Sequence, residues 1–259
     1  MIFTDRFTFV HMPKTGGTFI TSVLLRLYDV RWSWFMHLRS SMQRDLVYRR
    51  RNGTFIYHNN KHGPCAEIPA EHRDKPVLLA VRNPYDLYVS QYEFGWWKRK
   101  ELLPYYRAVP GFARDYGHFP DLSFADYVRL ANAAFRDANT GALLGLYSEQ
   151  FVKYTFRDPR AALPSVTEAY VAAGRYCQDM FDVRYVRTHR LNQELHAFLV
   201  GMGYPPEEVA FVLGLGKILP GGRGRTAAQP WQTYYTPELK REVREREWLL
   251  FSLFPEFDD

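Results

Sequence analysis

The segment His11-Met12-Pro13-Lys14-Thr15-Gly16-Gly17-Thr18 restricts this chain more than any other. Phe7-Thr8-Phe9-Val10 before it reads as a short buried strand. The residues after it carry apolar side chains at 19, 20, 23, 24 and 27, which is a helix stripe. A strand running through two glycines into a helix commits the chain to a layered α/β arrangement. The turn also has a chemistry. Glycines let backbone N–H groups close on an anion, and a helix N-terminus adds partial positive charge. Lys14, Thr15, Gly16, Gly17, Thr18 and Phe19 therefore predict a phosphate cradle, with the Lys14 ammonium able to reach a bridging or terminal oxygen. In the nucleotide-triphosphatase loop, G-x-x-x-x-G-K-[ST], the lysine follows the glycines and is followed by a hydroxyl for magnesium. Here the lysine comes first.

A second strand–helix junction lies further along. Pro76-Val77-Leu78-Leu79-Ala80-Val81 reads as a fully buried strand and runs into Arg82-Asn83-Pro84-Tyr85-Asp86-Leu87-Tyr88-Val89-Ser90. Asn83 suits an N-cap and Pro84 the first helical position. Ser90 follows Asn83 by about two turns at ~3.6 residues each, which puts both on one helix face. Arg82 supplies a forked, permanently charged donor set suited to phosphate.

Pro13-Lys14-Thr15-Gly16-Gly17-Thr18 resembles the 5′-phosphosulfate loop of sulfotransferases that use 3′-phosphoadenosine 5′-phosphosulfate (PAPS). Arg82-Asn83-Pro84-Tyr85-Asp86, followed by Val89-Ser90-Gln91-Tyr92, resembles the 3′-phosphate site of the same family. The resemblance implies a three-layer, P-loop-like α/β fold in one domain over 1–259, with a central parallel sheet flanked by helices. It implies PAPS as donor, its 3′,5′-bisphosphate (PAP) as product, and no metal. Leu219-Pro220-Gly221-Gly222-Arg223-Gly224-Arg225 is similar to the late basic loop that folds over the 3′-phosphate in this family, making Arg223 and Arg225 donor-site candidates.

Sulfuryl transfer requires a base for the acceptor hydroxyl, and histidine is the usual one near neutral pH. The stretch from His62 through Lys75-Pro76 to Arg82-Asn83-Pro84 resembles heparan sulfate 2-O-sulfotransferases and related soluble bacterial enzymes, in which a histidine placed so supplies the base. His62 is the match, and His58 and Glu67 are its rivals. His11 reads as a buried, hydrogen-bonded histidine. Cys65, three residues after His62, reads as an inert thiol more than as half of a Cys–His pair.

The remaining composition agrees with this assignment. The formal charge of +6 suits an anionic ligand and is not gathered in a tail, so nucleic acid is not called for. Arg49-Arg50-Arg51 reads as a solvated helix end within a helical stretch over 39–51. No run of eighteen apolar residues and no leader stands out, so a cytoplasmic protein without a membrane span is expected. The acceptor implied by the resemblance is a hydroxyl on a sugar or glycoconjugate, with His58, Tyr92 and Trp97 as candidate contacts. A small-molecule or lipid alcohol is the alternative. A nucleotide-dependent kinase is disfavoured by the lysine position, and a non-catalytic glycan- or nucleotide-binding module would have no use for two phosphate sites.

Overall fold

The computed structural model describes residues 1–31, 44–135, 144–218 and 229–258. The chain divides into two compact units, Met1–Arg82 with Met180–Gly222 and Asn83–Asp179 with Arg223–Asp259. The strands are β1 (Ile2–Thr4), β2 (Thr8–Val10), β3 (Leu46–Arg50), β4 (Gly53–Tyr57), β5 (Val77–Val81) and β6 (Val183–Arg187). The longer helices are α1 (Gly17–Leu27), α2 (Pro84–Phe94), α3 (Phe124–Phe135), α4 (Leu146–Thr155), α5 (Leu191–Gly201), α6 (Pro237–Arg246) and α7 (Trp248–Leu253).

Among the described residues these six strands belong to the first unit and form one sheet in the order β3-β4-β1-β2-β5-β6. The sheet is mixed, which corrects the parallel sheet expected from the sequence. β2, β5 and β6 run parallel, with Val10 opposite Leu79 and Val81 opposite Arg187. β1 and β2 are antiparallel because only a tight turn joins them, closed by Thr4 N–H to Phe7 O at 3.0 Å. β3 and β4 form a second hairpin, turning at Gly53 with φ 106°. The helical reading of 39–51 fails over Leu46–Arg50, and residues 32–43 lie outside the described residues. Arg49 and Arg50 are exposed on this edge strand, where charged side chains discourage pairing with another chain.

β5 is buried at every position, as a strand between two parallel neighbours must be. Phe19, Ile20, Val23, Leu24 and Leu27 of α1 pack with Leu191, Leu195 and Leu199 of α5 onto Phe7, Phe9, Leu78 and Val186 of the sheet side. This core fixes the C-terminal ends of β2 and β5 side by side. The loop His11–Gly16 and Arg82 leave from those ends.

The second unit is helical. Glu247, fully buried between α6 and α7, accepts from the backbone N–H of Tyr147 (3.1 Å) and Ser148 (2.7 Å) and from the Tyr88 hydroxyl (2.6 Å). It supplies the cap that Gly145 lacks at the start of α4. Two short helices, Glu168–Ala172 and Tyr176–Asp179, follow, with Gly174 at φ 67° between them.

Candidate active site

The turn between β2 and α1 holds two residues in the left-handed region, Lys14 at φ 65° and Gly16 at φ 95°. A lysine gains nothing locally from that conformation, and such strain persists only where surrounding structure imposes it. Two braces are evident. Arg82 donates from Nη1 to the Lys14 carbonyl at 2.9 Å. The Thr188 hydroxyl, just past β6, lies 3.0 Å from the Thr15 carbonyl and 2.9 Å from that of Val81, sharing its proton between them. Thr15 turns inward and donates to the Met12 carbonyl at 2.9 Å, so it closes the loop and its hydroxyl does not face an anion.

Gly16 is the N-cap of α1 and offers no side-chain cap, and the first turn has no acidic residue. The first intrahelical donors to the Gly16 carbonyl are Phe19 and Ile20. The N–H groups of Gly17 and Thr18 precede them and are the orphan donors of this helix start. Three cations bear on the same place. Burial, then the charges of Arg82 and Lys217, pull the Lys14 ammonium down to about 8. Like charges brought together at a helix N-terminus favour an anion between them.

Both glycines are sterically required. A Cβ on Gly16 would lie 2.8 Å from Leu191 Cδ2, and one on Gly17 would lie 2.0 Å from His11 Cδ2. His11 is 5% exposed and cannot swing away freely. Gly17→Ala is therefore expected to destabilise the protein by about 1–3 kcal/mol, the usual cost of overpacking. Thermal unfolding checks this, and an unchanged melting temperature would show that the histidine relaxes without cost.

His11 links the loop to the candidate base. Its carbonyl lies 2.9 Å from His62 Nδ1, and the two rings meet edge-on at 4.7 Å and 66°. A carbonyl only accepts, so His62 carries its proton on Nδ1 and its basic lone pair on Nε2. Partial burial, opposed by the hydrogen bond and reinforced by the Lys61 ammonium, holds His62 below the usual imidazole value. It is neutral at pH 7. The His11 ring departs from expectation: its Nδ1 is buried with no hydrogen-bond partner, and burial drives its value down to about 2.

The rivals are differently engaged. His58 Nδ1 lies 2.8 Å from Asp45 Oδ1, and Glu67 accepts from Asn60 Nδ2 at 2.7 Å. Cys65 is fully buried, which pushes its thiol up to about 12, out of reach of nucleophilic use.

The first unit thus brings together Lys14 to Phe19, Arg82 and, through His11, His62. Ser90 stands in the second unit, half-buried on α2, whose N-cap is Asn83 as expected: its Oδ1 accepts from Tyr85 N–H at 2.9 Å. Arg223 and Arg225 lie outside the described residues. Tyr92 donates its hydroxyl to the Leu122 carbonyl and stacks on Trp97, which is 4% exposed and forms part of the packed interior. Sequence reasoning missed Thr188 and Lys217. Thr188 was signalled only by its place after a strand-like run, and Lys217 by a lone cation in a glycine-containing stretch.

Among the described residues no group of His, Cys, Asp and Glu is gathered to hold a metal ion, and no helix is long and apolar enough to cross a membrane. No family model, no curated protein and no solved structure matches the chain.

Proposed function

We propose that this chain is a PAPS-dependent O-sulfotransferase with a P-loop-like α/β fold. The observation that carries the reading is the left-handed turn Lys14–Gly16 at the start of α1, where orphan N–H groups and the charges of Lys14, Arg82 and Lys217 converge. That arrangement suits a dense anion such as a phosphosulfate. The neutral imidazole of His62, one histidine removed from the loop, adds a base whose lone pair is on a defined nitrogen.

In this reading Gly17 and Thr18 N–H groups and the Lys14 ammonium hold the phosphosulfate end of the donor. Arg82 braces the loop and serves the 3′-phosphate, and Ser90 is assigned to the same phosphate by the sequence resemblance. His62 takes the acceptor proton at Nε2 as the acceptor oxygen bonds to sulfur. Lys14 meets the charge that grows on the phosphate oxygen as its bond to sulfur breaks. The acceptor is a hydroxyl on a sugar or glycoconjugate, and the setting is the cytoplasm. A small-molecule alcohol is a second reading, favoured by the burial of Trp97, whose ring is stacked on Tyr92 and not offered at the surface.

Adenosine 3′,5′-bisphosphate is expected to raise the melting temperature well above the shift given by AMP, without magnesium. Binding to the native state stabilises it by mass action, so the difference reports recognition of the 3′-phosphate. Equal shifts for the two nucleotides would overturn the donor assignment.

A further inference from the structure

In the second unit, α2, α3, α4 and the residues after α2 line a cavity of about 300 Å³. The size is that of a small-molecule site. Its walls carry Trp96, Trp97, Tyr127 and Tyr154. The Trp97 wall is rigid: its Nε1 donates to the Tyr92 carbonyl at 3.1 Å, and its ring lies within 13° of parallel to that of Tyr92. Trp96 is 44% exposed.

Two polar features set the chemistry. Among the described residues, the charged groups lining the cavity are Glu149 and Lys153, and they pair with one another, so these walls carry no net charge. The amides of Gln91 and Gln150 add donors and acceptors on the same lining.

We infer that this cavity binds an uncharged ring with apolar faces and hydroxyl groups on its edge. The aromatic walls take the faces, and the Gln91 and Gln150 amides take the edge. A carboxylate ligand would compete with Glu149 for Lys153, and an ammonium would compete with Lys153 for Glu149. The site lies wholly within the second unit, so the inference stands apart from the donor reading. Aromatic alcohols and saccharide rings share this chemistry.

Calorimetric titration of the full chain with 2-naphthol and with methyl β-glucoside separates the two sources, with 2-naphthoate and glucuronate as charged counterparts. One neutral probe is expected to bind saturably, and its carboxylate counterpart at least about tenfold more weakly, given the cost of burying an unpaired charge. Gln150→Leu is expected to weaken the neutral probe at least about threefold, the loss of one hydrogen bond to the edge of the ring. Binding of naphthol alone assigns an aromatic alcohol, and binding of the glucoside alone a saccharide. Failure of both neutral probes, equal affinity for the carboxylates, or an unchanged affinity in Gln150→Leu would overturn the inference.

Discussion

Replacing His62 by alanine is expected to lower turnover by about 10²–10⁴-fold, the usual contribution of a positioned base. Affinity for adenosine 3′,5′-bisphosphate should survive, because the loop residues that hold the donor keep their own braces from Arg82 and Thr188. The wild-type pH profile carries a matching signature. A base works in its neutral form, and burial holds His62 below the usual imidazole value. On the acid side turnover is therefore expected to hold down to about pH 6.5 and to fall only as pH drops through the lowered value. His62→Gln should lose that acid limb along with the rate. Should His62→Ala stay active while His58→Ala or Glu67→Gln is dead, the base belongs to that residue instead. The Asp45 partner of His58 and the Asn60 partner of Glu67 would then need to release them.

What the sequence made legible is what short-range chemistry decides. The apolar stripe of α1 and the Asn83 cap with Pro84 behind it each depend on residues a few positions apart. Long-range pairing was not legible. β3 has one buried residue, Leu46, and its neighbours have no alternation that would mark a strand. It is a strand because β4 pairs with it across a two-residue turn. β1 was unmarked for the same reason, being only three residues long. The site shows the same division. The loop was readable from its own residues, whereas its braces come from Thr188 and Arg82, 173 and 68 positions away from the residues they hold. Lys217 bears on Lys14 only through the fold. Trp97 was offered by the sequence as a candidate acceptor contact, and its packing against Tyr92, Phe119 and Tyr127, which sequence does not reveal, buries most of its ring.

Removing the Lys14 ammonium is expected to lower turnover by about 10²–10³-fold, the loss found when one donor aimed at developing charge is deleted. The backbone complicates the obvious variant. Lys14 sits at φ 65°, so Lys14→Ala leaves the left-handed strain in place and exchanges one Cβ for another. Lys14→Gly removes the ammonium and relieves the strain together, so it is expected to fold at least as well as the native chain and still lose turnover. The wild-type protein offers a second check. With no anion bound, burial and the charges of Arg82 and Lys217 bring Lys14 down to about 8. The charged form that receives the donor is present below that value and is lost as pH rises through it. Since kcat/KM reports the free enzyme, it is expected to decline above about pH 8. A bound phosphosulfate adds negative charge beside the ammonium and raises its value, so the decline in kcat should appear at higher pH. Lys14→Gly should abolish the basic limb of kcat/KM. Full turnover of Lys14→Gly at saturating donor, with the limb unmoved, would mean that the lysine does not follow the breaking bond and that the loop holds its anion by backbone and Arg82 alone.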